Sequence, residues 1–367
     1  MNISRVGGSL STVVNILIIV LVFGIIILIH ELGHFLMCRW TGIGVTEFSI
    51  GMGPCIFKTQ KGDTQYSIRC LPIGGYCMML GEDEEVCDDE RAFSNKPIWS
   101  RIAVIVAGPI FNFILAFFVS MLLIGLGGYL TSEINYVQEG SGAETAGLQE
   151  GDMITHINGN RIYDFREVTM FMQFYKSEEP VELTVLRNDE KMQVLVTPKF
   201  NQETGTYQMG LMGGYQVEGD YLVRTKADFL TNIQRSWLEL RYWIKTTFVS
   251  LKQLITGNVG VNQVSGVVGM ADVMNETMVE AKVTGGYLMV SLNVLNFMIL
   301  ISANLGVINL LPFPALDGGR LLFLLIELIT RKPVPKEKEA VVHAIGFVVL
   351  FILMILITFK DIRNLFI

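Results

Sequence analysis

Residues 13–37 form an apolar run long enough to cross a bilayer, and near its end stand Ile29-His30-Glu31-Leu32-Gly33-His34. No other feature limits the fold as tightly. A spanning helix needs ~20 mostly apolar residues, and an ionisable side chain inside it costs roughly 2.5–3.5 kcal/mol even on the mildest insertion scale. Something must offset that cost. On a helix, positions i and i+4 share a face, so His30 and His34 point the same way and can grip one metal ion. Glu31 projects beside them. The chain has four histidines. Two at this spacing, next to a glutamate in an apolar helix, predict a metal site rather than a polar pair satisfied within a helical bundle.

With 51% hydrophobic and 17% charged residues among 367, the chain reads as an integral membrane protein. A net charge of −7 without any basic block gives no face for nucleic acid. The expected fold class is an α-helical polytopic membrane protein with four transmembrane segments at 12–38, 100–126, 286–330 and 339–359. The first run is too long for a cleavable signal and lacks a small-residue cleavage pattern. The third is more than twice the length of a span and is interrupted at Asn309-Leu310-Leu311-Pro312-Phe313-Pro314, so it reads as a broken helix. Irregular backbone survives at membrane depth only where it is buried in protein or lines a cavity. Only Arg5 precedes the first span, whereas Arg39, Lys58, Lys61 and Arg69 follow it, and Arg331, Lys332, Lys336 and Lys338 crowd the loop before the fourth. Positive-inside logic places 39–99 and that loop in the cytoplasm, and both termini and the middle domain outside. Five cysteines, all between Cys38 and Cys87, suit a reducing compartment as free thiols.

Residues 39–99 predict a small cytoplasmic, membrane-associated β region. Strand signals flank Gly51-Met52-Gly53-Pro54, and Tyr66 to Leu71 alternates before the turn Pro72-Ile73-Gly74-Gly75-Tyr76. Its edge either pairs with an extended substrate or only packs under the membrane. The acidic stretch 82–90 reads as a solvated loop. Residues 131–200 are strand-rich: 181–187 and 192–197 alternate around Asn188-Asp189, and Gly140 to Asp152 is a loop–helix–turn leading into Met153-Ile154-Thr155-His156-Ile157. This segment resembles a PDZ domain, a mixed α/β insert whose relatives take up extended peptides by strand addition. His156 reads as a surface or packed histidine. Residues 201–285 predict an amphipathic helix at 226–256, lying at the membrane surface or against the preceding domain, and a Gly-rich return from Gly257 to Gly269.

Two histidines make half a zinc site, and a catalytic site usually adds a third protein donor and keeps one open position. Asp317 is the best candidate, since it follows the Pro312/Pro314 break and precedes Gly318-Gly319. It is also placed to cap a helix. Glu327 is a weaker rival, and His343 reads as interfacial. Glu31 reads as the general base for an activated water. Asn309 either donates a hydrogen bond to a developing oxyanion or satisfies freed backbone at the break. A non-catalytic membrane adaptor with a structural metal is the competing class, but it needs a fourth donor, and no strong candidate stands in the sequence. A transporter is a distant third, because few other ionisable residues lie in the spans.

With these residues in place the chain resembles an RseP-type intramembrane zinc metalloprotease of the site-2 protease family, over nearly its whole length. The resemblance is carried by His30-Glu31-Leu32-Gly33-His34-Phe35, Phe48-Ser49-Ile50-Gly51-Met52-Gly53-Pro54, Pro72-Ile73-Gly74-Gly75-Tyr76, Ala107-Gly108-Pro109-Ile110-Phe111-Asn112 and the run from Asn304 to Gly319. It implies zinc held by His30, His34 and Asp317, with Glu31 catalytic. It also implies a substrate groove shaped by Asn309, Pro312 and Pro314 and by the β region around Gly74, Gly75 and Tyr76. The expected partners are pre-trimmed single-span membrane proteins, such as anti-sigma factors or signal-peptide remnants, in a lipid bilayer. The expected site is a cell membrane, with the active centre toward the cytoplasm.

Overall fold

The structure is a computed structural model and describes residues 9–82, 88–218, 221–260 and 264–366. Arg5, the middle of the acidic stretch at 83–87 and part of the Gly-rich return lie outside these residues. In chain order the elements are α1 (Ser9–Thr41), β1 (Val45–Lys61), β2 (Thr64–Met79), α2 (Ile98–Gly127), β3 (Ile134–Val137), α3 (Gly142–Thr145), β4 (Met153–Ile157), β5 (Asn160–Arg161), α4 (Phe165–Gln173), β6 (Val181–Arg187), β7 (Glu190–Val196), β8 (Lys199–Asn201), β9 (Thr206–Gln208), β10 (Leu211–Gly213), β11 (Gln216–Glu218), β12 (Tyr221–Val223), α5 (Phe229–Ile255), α6 (Val267–Leu310), α7 (Asp317–Thr330) and α8 (Lys336–Phe366). Among the described residues, four helical stretches are long and apolar enough to cross a membrane: Val14–Thr41, Ile98–Gly127, Val267–Leu310 and Lys336–Asn364. The protein is therefore mostly helical, with a smaller β-rich part.

The third apolar segment is two helices. α6 begins at Val267 rather than at 286, because its first turns carry Asp272, Glu276, Glu280 and Lys282 and show no hydropathy signal. Gly286, at φ 65° and ψ −157°, interrupts it near the start of the apolar stretch. After Leu310 a non-helical link leads into α7, whose 14 residues rise only about 21 Å at ~1.5 Å each, short of a ~30 Å hydrocarbon core.

The chain divides into two compact units, Met1–Ser120 with Trp243–Ile367, and Met121–Tyr242. In the first unit β1 and β2 make more than a simple hairpin. Residues 45–50 pair on one side with 75–79 and on the other with 65–68, which in turn pair with 57–61. Bulges bend both strands to allow this, so 75–79 becomes an outer strand. Cys38, Val45, Phe48, Met79, Val104, Ile105 and Leu324 form one buried cluster joining α1, this sheet, α2 and α7. Arg101 of α2 donates to Glu327 of α7 through two bonds of 3.0 and 2.5 Å, which engages the rival donor elsewhere. Asp361 of α8, 4% exposed, accepts from the Gly266 and Gly269 N–H groups at 2.9 Å. It caps α6 in trans, satisfying donors that a helix start leaves open.

In the second unit the sheet order is β5-β4-β6-β7. β6 and β7 pair from Val181↔Val196 to Arg187↔Glu190, and Asn188 and Asp189 both take positive φ, as a two-residue turn requires. Val181, Leu183 and Val185 alternate inward to a core with Ile134, Ile154 and Val196, covered by Phe165 and Val168 of α4. The unit continues past 200, because β10 pairs with β3. Three-residue strands such as β10 are too short to display a period of two.

Asp152 is buried in this unit. It accepts from Arg187 at 2.6 and 2.7 Å and from the Gln149 N–H at 2.9 Å. Burial pushes its carboxyl up, and the Arg187 guanidinium and Gln149 N–H together take it below the usual carboxylate range. A carboxyl depressed on folding stabilises fully above its unfolded value of ~3.9, and that contribution is lost as pH falls through the folded value. Hydrogen exchange should therefore show protection of β4 and β6 holding down to about pH 4 and failing below. Asp152→Asn should be less protected at neutral pH and show a flatter acid limb.

Candidate metal centre and active site

The site is built where α1, α2 and α7 meet. His30 and His34 lie on successive turns of α1, both buried at 7% and 5% exposure. Their Nε2 atoms are 3.2 Å apart. Asp317 opens α7, and its Oδ2 lies 3.1 Å from His30 Nε2 and 3.4 Å from His34 Nε2. The N-cap of α7 is Leu316, so Asp317 is the first helical residue rather than the cap.

The donor chemistry can be read from the outer partners. His34 Nδ1 is 2.8 Å from the Val104 carbonyl, which can only accept, so Nδ1 carries a proton, and the neutral ring presents a bare Nε2. On His30, Nδ1 faces the Asn112 amide, with Nδ2 at 3.1 Å, while Asn112 Oδ1, buried, has no partner. A half-turn of the amide satisfies both groups: Nδ1–H donates to Oδ1, and His30 Nε2 is also bare. Three acceptor atoms then converge with no hydrogen between them, and Asp317 Oδ2 has no hydrogen-bond partner. That arrangement repels itself unless a cation sits within it. Tetrahedral zinc with bonds of ~2.0–2.1 Å holds its donors about 3.3–3.4 Å apart. The triangle here, 3.1 to 3.4 Å on its sides, fits.

Glycine makes the room. A Cβ on Gly108 of α2 would stand 2.3 Å from His34 Nε2 and 2.8 Å from His30 Cε1. One on Gly33 of α1 would stand 2.5 Å from the Ala107 carbonyl oxygen. The two helices touch through backbone at the site. Glu31 lies on the neighbouring face of α1, against the outer strand 75–79: a Cβ on Gly75 would be 3.3 Å from Glu31 Cγ.

The remaining residues singled out in the sequence are placed unequally. Asn309, at the end of α6, reaches the centre, with Nδ2 3.4 Å from His30 Nε2. Pro312 and Pro314 lie in the link that delivers Asp317. Gly74, at φ 91°, packs against Met52. Tyr76 faces away from the metal donors: its hydroxyl accepts from Arg69, whose guanidinium also holds Glu47 at 2.8 Å and Ser49 at 3.1 Å. Gly108, Asn112 and Val104 were not read as site residues. Gly108 and Asn112 stand in the 107–112 run that carries the resemblance, which was the available signal for both.

A histidine pair and a carboxylate whose spacing fits zinc, with a glutamate beside them, are the donor set a zinc metalloprotease needs. The family model described as Peptidase family M50 matches residues 18–353. Zinc metalloprotease RasP of Geobacillus kaustophilus is 31% identical, over 97% of this chain and 99% of its own. Regulator of sigma-W protease RasP of Bacillus subtilis is 30% identical, over 96% and 99%. A Clostridium acetobutylicum protein, described by inference as a zinc metalloprotease, is 37% identical over 95% and 97%. The chain belongs to peptidase family M50, the site-2 protease family. Among solved structures, the PDZ domain of an SdrC-like protein from Listeria innocua is 18% identical and aligns with 24% of this chain and 97% of its own at a TM-score of 0.22, a score that leaves the fold of that segment to be argued from its own strands.

Proposed function

We propose that the protein cleaves single-span membrane proteins within their spanning segments after their outer domains have been removed. The observation that carries this reading is a donor triangle made by two histidines of the spanning helix α1 and Asp317 of the short α7, with Glu31 beside it against an outer β-strand. His30, His34 and Asp317 hold the zinc, and Val104 and Asn112 fix the two imidazoles in the ligating tautomer. When bound, zinc supplies the Lewis acidity that activates a water and polarises the scissile carbonyl. Glu31 would act as the general base, accepting a proton from the attacking water and returning it to the leaving amine. The Asn309 amide donates to the carbonyl oxygen as negative charge develops there. A substrate helix has every backbone amide bonded internally, so it must open before attack. The outer strand 75–79 offers the opened segment a ladder of N–H and C=O groups, and Gly74 and Gly75 keep that approach narrow. Pro312 and Pro314 shape the opposite wall.

The lysine and arginine distribution supports a cytoplasmic sheet and an external second unit, both termini outside. The strand order of that second unit and its loop–helix–turn at 140–152 support a PDZ domain that screens substrates by bulk. A relative that regulates sigma-W suggests anti-sigma factors as the substrate class, with signal-peptide remnants as the second. The test uses the full chain in liposomes with a single-span protein in two forms, intact and trimmed of its outer domain. The trimmed form should be cut inside its span, zinc chelation should stop the cut, and added zinc should restore it. Cleavage outside the span, or cleavage indifferent to chelation, overturns the reading. Capture without any cleavage favours an adaptor.

A further inference from the structure

The link between α6 and α7 must hold Asp317 to within a fraction of an ångström, yet it contains a strained residue. Ala315 sits at φ 74°, a left-handed conformation that alanine rarely adopts. Its N–H donates to Nδ1 of His343 at 2.9 Å. His343 belongs to α8, which carries none of the metal donors. One turn further along α8, a Cβ on Gly346 would stand 2.3 Å from Pro314 Cβ and 2.8 Å from the Pro314 carbonyl carbon and oxygen. A glycine there is what lets α8 lie directly on the link. On the other flank, a Cβ on Gly319 would meet the Phe313 carbonyl oxygen at 2.5 Å. The link is thus seated between the first turn of α7 and the face of α8 that carries His343 and Gly346. With Nδ1 accepting, His343 keeps its proton on Nε2, which points toward Glu339 Oε1 at 3.8 Å, and Phe323 packs on the ring at 5.6 Å. The sequence alone made His343 an interfacial residue. The structure gives it a specific acceptor role two residues before the third metal donor.

We propose that His343 is a positioning residue for the metal centre: by accepting the Ala315 N–H it fixes the left-handed turn from which Asp317 reaches the ion. The inference rests on reading His30, His34 and Asp317 as the zinc donors. It makes α8 part of the metal site although it supplies no ligand.

Asparagine and leucine have nearly the same shape, and asparagine Oδ1 falls where histidine Nδ1 stands. His343→Asn therefore keeps the acceptor, and His343→Leu removes it at equal volume. Both variants, Gly346→Ala and Asp317→Asn are prepared as full-length protein in detergent. Zinc per chain is measured against buffered free zinc, and the visible d–d bands are recorded after cobalt substitution. His343→Leu should bind zinc ~10–100-fold more weakly, the range seen when an outer partner of a metal ligand is lost, with shifted cobalt bands. His343→Asn should stay near wild type, and Gly346→Ala should weaken binding as His343→Leu does. If His343→Leu binds like wild type, or if Asn and Leu lose zinc equally, the positioning role is overturned. Asp317→Asn separates the two levels: wild-type affinity in that variant overturns the donor reading itself, and this inference with it.

Discussion

Glu31→Gln is expected to keep one zinc per chain and to cleave a trimmed single-span substrate ~10²–10⁴-fold more slowly than wild type. The substitution preserves size and leaves His30, His34 and Asp317 untouched, so the ion should stay. What is lost is a carboxylate beside the donor triangle that can take a proton. Gly75 of the outer strand packs against Glu31, so the shape-preserving Gln fits the same space. The two readouts must be taken on the same sample: metal content by elemental analysis and cleavage by gel. Undiminished cleavage with zinc present would remove Glu31 from the chemistry. Loss of both zinc and cleavage would make Glu31 a structural support of the site.

Gly108→Ala should be at least as damaging through a single methyl group. That methyl would occupy a point 2.3 Å from His34 Nε2, on the donor side of both rings. α2 is already in backbone contact with α1 at Gly33, and Pro109 and the Asn112 amide follow within a turn, so a shift of α2 would disturb the His30 partner as well. A displacement of about 1 Å in a catalytic site can cost ~10²-fold in rate, and here the donor atoms themselves must move. The expected result is loss of zinc together with loss of cleavage, in contrast to Glu31→Gln. Full zinc occupancy in Gly108→Ala would show that α2 has slack at this point.

The cluster of His30, His34 and Asp317 was legible because its cues are local. His30 and His34 are four apart on one helix, and Asp317 closely follows the pair Pro312 and Pro314, where an apolar segment twice the length of a span is interrupted. Those three side chains are the ones the fold brings together. The cues for Gly108 and His343 are not local. Gly108 matters because of what lies across the α1–α2 contact, which its place in the 107–112 motif does not reveal. His343 matters through a backbone N–H on another element. Tyr76 shows what the turn alone leaves open: its neighbour Gly75 approaches Glu31, while its own hydroxyl pairs with Arg69, a choice that depends on how the bulged strands fold over each other. The start of α6 at Val267 was hidden because hydropathy reports apolar length, whereas its helical N-terminus is completed by Asp361 from the other end of the chain.

The separation of the donors along the chain also has a consequence in time. Roughly 280 residues lie between the histidine pair and Asp317, which at ~5–20 residues per second takes about 14–60 s to synthesise. For that interval α1 is in the membrane with two imidazoles and a glutamate but no third donor and no seat for one, since α8 follows later still. The growing chain is itself a membrane-spanning polypeptide passing through the same bilayer. With the proposed donors, the centre closes only when the last helices arrive, so the unfinished chain lacks the complete donor set while it is being inserted.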